Sequence, residues 1–358
     1  MHAKIVSLPD PAFLCRRIMI NAKEGAVGEF ILHHVKTTEA DSVFGDGPEL
    51  LQSDEEQEFL RKLFLKPFMN SSQTFEFTHA AGVEYNALHG LCNAICAGED
   101  LVDRSRDIAR HLIGSSQHHN IKPGDLFVVK FAKLEFGLRE YEAIGIYKFD
   151  EKEVFLESKH KGGSIDLRLK LGIGNAKPNK ACLVVFTDDA PTLFVVDDND
   201  HTTYWQQDFI GLRPKKDHVN STSHMLELTK SFITEQLPHD YPIGKADQID
   251  LLNRSVQYFK TNGEYDQEAF EQEIFQEEGV IQRFQKFGQD FQRENDVEIM
   301  QNFEISSQAV KRQARIFKSV IKLDKNFHIY IHGDRNRIEQ GVDDRGRKFY
   351  RIFYDEET

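Results

Sequence analysis

Between Lys122 and Val196 the chain carries its densest set of short apolar runs, and the links between several of them leave room only for reversals. Lys122-Pro123-Gly124-Asp125 reads as a turn. The runs LFVVKF (Leu126 to Phe131), YEAIGIYKF (Tyr141 to Phe149) and EVFLES (Glu153 to Ser158) follow as strands, the last two joined by Asp150-Glu151-Lys152 alone. A parallel crossover needs a dozen residues or more, so this spacing predicts an antiparallel meander. ACLVVF (Ala181 to Phe186) and TLFVV (Thr192 to Val196), separated by Thr187-Asp188-Asp189-Ala190-Pro191, predict one further hairpin.

Helical patterns flank this set. Glu29 to Val35 is a strand candidate, and Ser53 to Phe64 places acids early and bases late, as a helix macrodipole favours. Tyr85 to Ile113 repeats apolar residues at helical spacing (Leu88, Leu91, Cys92, Ile95, then Ile108 and Leu112) with a break at Gly98, which predicts two helices. From about Tyr204 the character turns helical, and Asp217 to Glu298 holds seventeen acids against seven bases. Val280, Phe284, Phe287 and Phe291 form an apolar stripe there, expected in the core or at a subunit interface. The expected class is α+β. It comprises an N-terminal mixed domain with an antiparallel sheet (1–203), an acidic helical middle region (204–304) and a basic C-terminal helix plus β-hairpin (305–358).

Charge reverses in that last segment. The 358 residues sum to −13, yet Gln308 to Arg351 carries twelve Lys or Arg against five acids, a local excess of +7. Ser306 is a candidate cap for a helix in which Val310, Ala314, Phe317 and Ile321 make an apolar stripe, with Lys311, Arg315, Lys318 and Lys322 repeating that spacing one residue later. Phe327, Ile329 and Ile331 alternate with His328, Tyr330 and His332 as in a strand; Asp343-Asp344-Arg345-Gly346 reads as a turn, and Arg347 to Tyr354 as a second strand interleaving cations with aromatics. Patterned cations in an otherwise acidic chain suit a local contact with nucleic acid. The expected contact set is Lys311, Arg312, Arg315, Lys318, Lys322, Arg335, Arg337, Arg345, Arg347, Lys348 and Arg351.

Motifs for catalysis are missing. There is no phosphate-binding G-x-x-x-x-G-K-[ST] loop, no G-x-S-x-G elbow and no H-E-x-x-H helix, and Gly172-Ile173-Gly174 reads as a loop. Asp197-Asp198-Asn199-Asp200-His201 gathers oxygens, but a calcium loop starting at Asp197 would place Thr202 where glycine turns the chain and Asp208 where a bidentate Glu belongs. It is read as a solvated turn. His33/His34 and His118/His119 lack ligand partners at metal spacing, and Cys15, Cys92, Cys96 and Cys182 include no C-x-x-C pair, so reduced, buried thiols are expected. No cofactor or metal is expected, and no run is long and apolar enough for a membrane helix, so a cytosolic protein is expected.

Taken in order, IKPGDLFVVKF, YEAIGIYKFDEKEVFLE, ACLVVF, Tyr204-Trp205 with DFIGLRP, and FKSVIKLDKNFHIYIHGDRNRIEQGVDDRGRKFYRIFY resemble bacterial nucleoid-associated proteins of the NdpA type. The resemblance covers most of the chain, strongest over residues 121–235 and 305–354 and weakest in the first hundred. It implies a cytoplasmic, chromosome-associated protein that binds DNA without established catalytic residues. Double-stranded DNA with weak sequence preference is the expected partner, bound by a homodimer whose paired patches act with avidity. Two alternatives stand beside it: a metal-dependent nuclease or phosphotransfer enzyme using Asp197, Asp198, Asp200 and His201, and a protein-interaction module built on the acidic middle region.

Overall fold

A computed structural model describes residues 20, 25–49, 51, 53–69, 71, 73–116, 122–137, 139–174, 176–198, 203–314, 320–324, 326–330 and 337–356. The chain divides into two compact units, residues 17–215 and 216–358.

The first unit is organised by strands apolar on both faces. Its elements are β1 (Ala26–Val35), α1 (Asp54–Leu65), β2 (Phe75–Phe77), α2 (Ala87–Cys96), α3 (Leu101–Ser115), β3 (Gly124–Phe136), β4 (Arg139–Phe149), β5 (Glu153–Lys161), β6 (Ser164–Gly172), β7 (Lys180–Val185), β8 (Thr192–Asp197), a π-helical turn (Trp205–Ile210) and β9 (Leu212–Pro214). Seven strands form one antiparallel sheet in the order β1-β3-β4-β7-β8-β2-β9. Successive residues point to opposite faces. Leu126, Val128, Ile144, Ile146, Cys182, Val184 and Leu193 therefore join one core with Leu88, Ile95, Ile108, Leu112 and Trp205. Their sequence neighbours Phe127, Val129, Ala143, Tyr147, Ala181, Leu183 and Phe194 join a second core with Leu63, Phe64 and Phe68. Two-sided burial explains why these strands read as unbroken apolar runs.

Local chemistry places the helices as expected. Ser53 caps α1, its hydroxyl accepting the Glu56 amide at 3.2 Å. Asn86 caps α2 by accepting from His89 N at 2.8 Å, while its Nδ2 donates to Ile210 O at 2.8 Å, tying the helix start to the π turn. Gly98, at φ +94°, breaks the chain between α2 and α3.

One expected pairing is corrected. Glu153 to Ser158 does not continue the meander: β4 takes β7 as its next neighbour (Ile146 opposite Cys182), and β5 pairs with β6 (Leu156 opposite Leu169). An interior strand buried on both faces needs an equally apolar neighbour, and β7 is buried at all six positions. Glu153, Glu157 and Lys159 disqualify β5 from that place.

The second unit is helical with small strand pairs. α4 (His218–Ser231) runs through a π turn (Phe232–Gln236) into α5 (Leu237–Asp240); α6 (Lys245–Thr261), β10 (Glu264–Asp266), α7 (Gln267–Ile274), α8 (Glu278–Asn295), β11 (Asn302–Glu304) and α9 (Ser307–Ala314) follow. Their core is aromatic: Phe232 meets Phe284 edge-on at 5.1 Å, and Tyr265 stacks on Phe303 at 4.8 Å across the β10–β11 pair. The stripe on α8 faces this core, with Phe284 buried and Val280, Phe287 and Phe291 packed beside it.

The chain end departs from the expected helix and single hairpin. α9 is described as far as Ala314, and Val320 to Leu323 is a strand, β12, paired with β13 (Phe327–Tyr330). A second hairpin joins β14 (Ile338–Val342) to β15 (Lys348–Ile352) through the expected turn, with Gly346 at φ +78°. Ile321 belongs to a strand because it pairs with Ile329 and lies with Ile338 in a cluster with Ala246 and Ile249 of α6. A helix from Ser306 through Lys322 would forgo that pairing. The α+β class stands.

The histidine pair at the end of β1 is structural. His34 Nδ1 lies 2.7 Å from Asp125 Oδ1 on β3. His33 is fully buried; its Nδ1 accepts from Gly45 N at 3.1 Å, and Arg106 Nε donates to Gly45 O at 3.0 Å. Burial, helped by the Arg106 charge, pushes the His33 pKa down to about 4. The unfolded chain therefore binds an extra proton between its ordinary value of 6.5 and about 4, so stability is retained above that window and lost as pH falls through it. Urea midpoints measured from pH 8 to pH 4.5 should drop more steeply for the wild type than for His33→Asn; parallel curves would remove His33 as a cause.

Candidate nucleic-acid interface

Helix α9 is anchored before its cations begin. The Ser306 amide donates to Thr222 Oγ1 of α4 at 3.0 Å, and its hydroxyl accepts the Ala309 amide at 3.4 Å. Ala309 and Val310 are buried, which leaves Lys311 and Arg312 exposed in the last turn, where positive charge complements the helix C-terminus. Arg315, Lys318 and Arg335 lie outside the described residues, as do Phe317, Ile331 and His332. Lys322 sits on β12 rather than on the helix with Lys311, so the expected single helical stripe of cations is not formed. On the hairpin, Lys322 lies opposite His328, and Val320 opposite Tyr330, all on one face.

The second hairpin sorts its residues sharply. Ile338 and Tyr350 turn toward α6. Glu339, Gly341, Phe349 and Arg351 occupy the other face, with Glu339 opposite Arg351 and Gly341 opposite Phe349. The phenyl ring lies over Gly341: a Cβ there would come within 2.5 Å of the ring. The Arg351 guanidinium stands 5.6 Å from that ring's centroid. Aromatic and guanidinium groups thus share an exposed face, an arrangement suited to phosphate and base contacts.

Several of these cations already have anions. Arg337 pairs with Asp355 at 2.6 Å, Arg351 with Glu339 at 3.1 Å and Arg347 with Asp343 at 2.8 Å. Asp343 also accepts the amides of Arg345 and Arg347, and these donors hold its carboxyl below the usual range. Among the described residues no ion pair engages Lys311, Lys322, Arg345 or Lys348.

The first unit contains a cationic concavity that local patterning had no means to reveal. Lys62 and Lys66, from the end of α1, and Lys177, from the Gly172–Lys177 loop, line a cleft of about 310 Å³ with Leu63, Pro67 and Ala176. Their sequence separation hides the grouping, although the i, i+4 spacing of Lys62 and Lys66 is visible.

The first two residues of the acidic run, Asp197 at the end of β8 and Asp198, are engaged in structure. Asp197 forms an ion pair with Lys180, which is 1 % exposed, and accepts from Gln206 Nε2 at 2.9 Å. Asp198 accepts from Asn179 Nδ2 at 3.4 Å, and Asn199, Asp200 and His201 lie outside the described residues. No group of three His, Cys, Asp or Glu is placed to hold a metal ion among the described residues. Cys92 and Cys182 are buried and Cys96 partly so; burial raises all three thiols, Cys96 to about 12. Cys15 lies outside the described residues, and no described helix is long and apolar enough to cross a membrane.

Compared with known proteins, residues 31–358 match the family model described as nucleoid-associated protein YejK, in agreement with the resemblance carried by the strand and turn motifs. No curated protein and no solved structure matches.

If Asp197 is the counterion of Lys180, replacing it removes the carboxylate from a buried ammonium. Asp197→Asn should lower unfolding free energy by about 3 kcal/mol in urea titrations. A change within about 0.5 kcal/mol would show that Lys180 does not depend on it and would return the carboxylate to the candidates for metal chemistry.

Proposed function

The chain belongs to the nucleoid-associated protein YejK family, and from that premise we propose that it binds double-stranded DNA, with little sequence preference and without catalysis, through the cations of its C-terminal region. The observation that carries this reading is a set of exposed cations, Lys311, Lys322, Arg345 and Lys348, that no described carboxylate neutralises in a chain of net charge −13. Arg312, Arg315, Lys318, Arg335, Arg337, Arg347 and Arg351 complete the proposed contact set. Phosphate contacts gain free energy by releasing condensed counterions, so cations without carboxylate partners contribute most. Two patches in one particle hold a polymer more tightly than one, and the proposed working form is a cytoplasmic homodimer acting at the nucleoid.

Gel-shift titration over a salt series tests the assignment. Lys311→Gln, Lys322→Gln, Arg345→Gln and Lys348→Gln combined should weaken binding and flatten the plot of log K against log salt by about 0.9 for each phosphate the variant no longer neutralises. The same affinity for an unrelated duplex of equal length is expected. An unchanged slope in the quadruple variant would sink the assignment.

A further inference from the structure

The largest feature that DNA binding does not use is the β5–β6 ribbon. Among the described residues these two strands pair only with each other, over nine registered positions from Glu153 opposite Gly172 to Lys161 opposite Ser164. Gly162 and Gly163, at φ +55° and +87°, close the ribbon in a two-residue turn whose twist matches the strands. Register separates two faces of different chemistry, with the half-exposed Phe155, opposite Lys170, the apolar member of the charged one. One face carries Glu157 opposite Arg168 and Lys159 opposite Asp166; the other carries Val154 opposite Leu171, Leu156 opposite Leu169, Ser158 opposite Leu167 and His160 opposite Ile165.

Among the described residues nothing covers the apolar face. Val154, Leu156, Ile165, Leu167, Leu169 and Leu171 are each 64–72 % exposed. A two-stranded ribbon is marginal in water unless something packs on it, and contiguous aliphatic surface of this size marks a contact site. The opposite face argues against a nucleic-acid arm, because the cations Lys159, Arg168 and Lys170 there have carboxylates: Glu157 pairs with Lys159 at 3.3 Å and reaches Lys170 at 3.9 Å, and Asp166 pairs with Arg168 at 2.8 Å.

We propose that this face is the self-association surface, covered by the same face of a second copy. The inference rests on the two-copy part of the functional reading. Three properties of the face favour a second copy over a foreign chain. Six of its eight positions are aliphatic, with Ser158 and His160 toward the turn and no carboxylate or Lys/Arg among them, so a two-fold axis through it brings like against like without opposing charges. Six aliphatic residues, each 64–72 % exposed, supply the apolar centre that a standard specific interface of about 800 Å² per partner requires. Face-to-face packing also turns a lone ribbon into a two-layer sheet with a dry centre.

Light scattering with size-exclusion chromatography of the full chain tests it. The wild type should elute as a dimer, and Leu156→Glu with Leu169→Glu as a monomer with unchanged circular dichroism. Lys159→Glu with Lys170→Glu, on the charged face, should remain dimeric. A dimer that survives Leu156→Glu with Leu169→Glu overturns the ribbon assignment and leaves the two-copy reading standing. A wild type that stays monomeric at concentrations of about 100 μM, well above the dissociation constant of an ordinary dimer, overturns both. Loss of DNA affinity in that apolar-face variant without dissociation assigns the face to DNA instead, and dissociation by the charged-face pair alone moves the contact to the other side.

Discussion

Burial of both faces of the central strands is the constraint from which the first unit follows. Once β3, β4, β7 and β8 bury apolar residues on both faces, the sheet needs a layer on each side. Helices α2 and α3 with the π turn supply one layer, and α1 with the segment after it supplies the other. The buried lysines fit the same logic. Lys148 and Lys180 lie at strand ends, where each long stem is covered by the sheet while its ammonium meets a carboxylate, Asp150 or Asp197. The acidic run that superficially suggested metal chemistry is partly the counterion of this arrangement.

The second unit solves the same problem with aromatics. Seven rings, Phe232, Phe259, Tyr265, Phe270, Phe275, Phe284 and Phe303, form a contiguous cluster that brings together helices α6, α7 and α8, the π turn after α4, and the β10–β11 pair. Edge-on and stacked contacts give directional packing beyond area burial. Heavy negative charge on the outside of these helices is tolerated because it sits in water. The Arg283–Asp240 pair, at 2.5 Å, links α8 to the end of α5 and holds Asp240 well below the usual carboxylate range.

Local signals were legible wherever the controlling interaction was local. The helix with acids early and bases late over Ser53 to Phe64, the Gly98 break and the Asp343 to Gly346 turn each involve residues within a few positions, and each is visible as residue type and spacing. Strand partnership was not. Whether Glu153 to Ser158 lies beside β4 depends on how well β7 fits there, a comparison between segments that are distant in the sequence. Ile321 shows the same limit: its spacing from Val310 suits a helix, and only the pairing with Ile329 and the contact with α6 decide for a strand. The cations were legible as composition, but their carboxylate partners at Asp355, Asp343 and Glu339 emerge only from the folded hairpin.

Those partners change what the basic tail is. A polyanion that reaches Arg351 finds Glu339 already there and must displace it, so the exchange is one carboxylate for one phosphate with little salt set free. Only an anion that also matches the planar guanidinium fork, or can lie against the neighbouring Phe349 ring, improves on the resident partner. The hairpin thus holds two kinds of cation, Arg337, Arg347 and Arg351 with a resident carboxylate and Arg345 and Lys348 without an ion pair among the described residues, so its count of positive charges overstates the charge it presents.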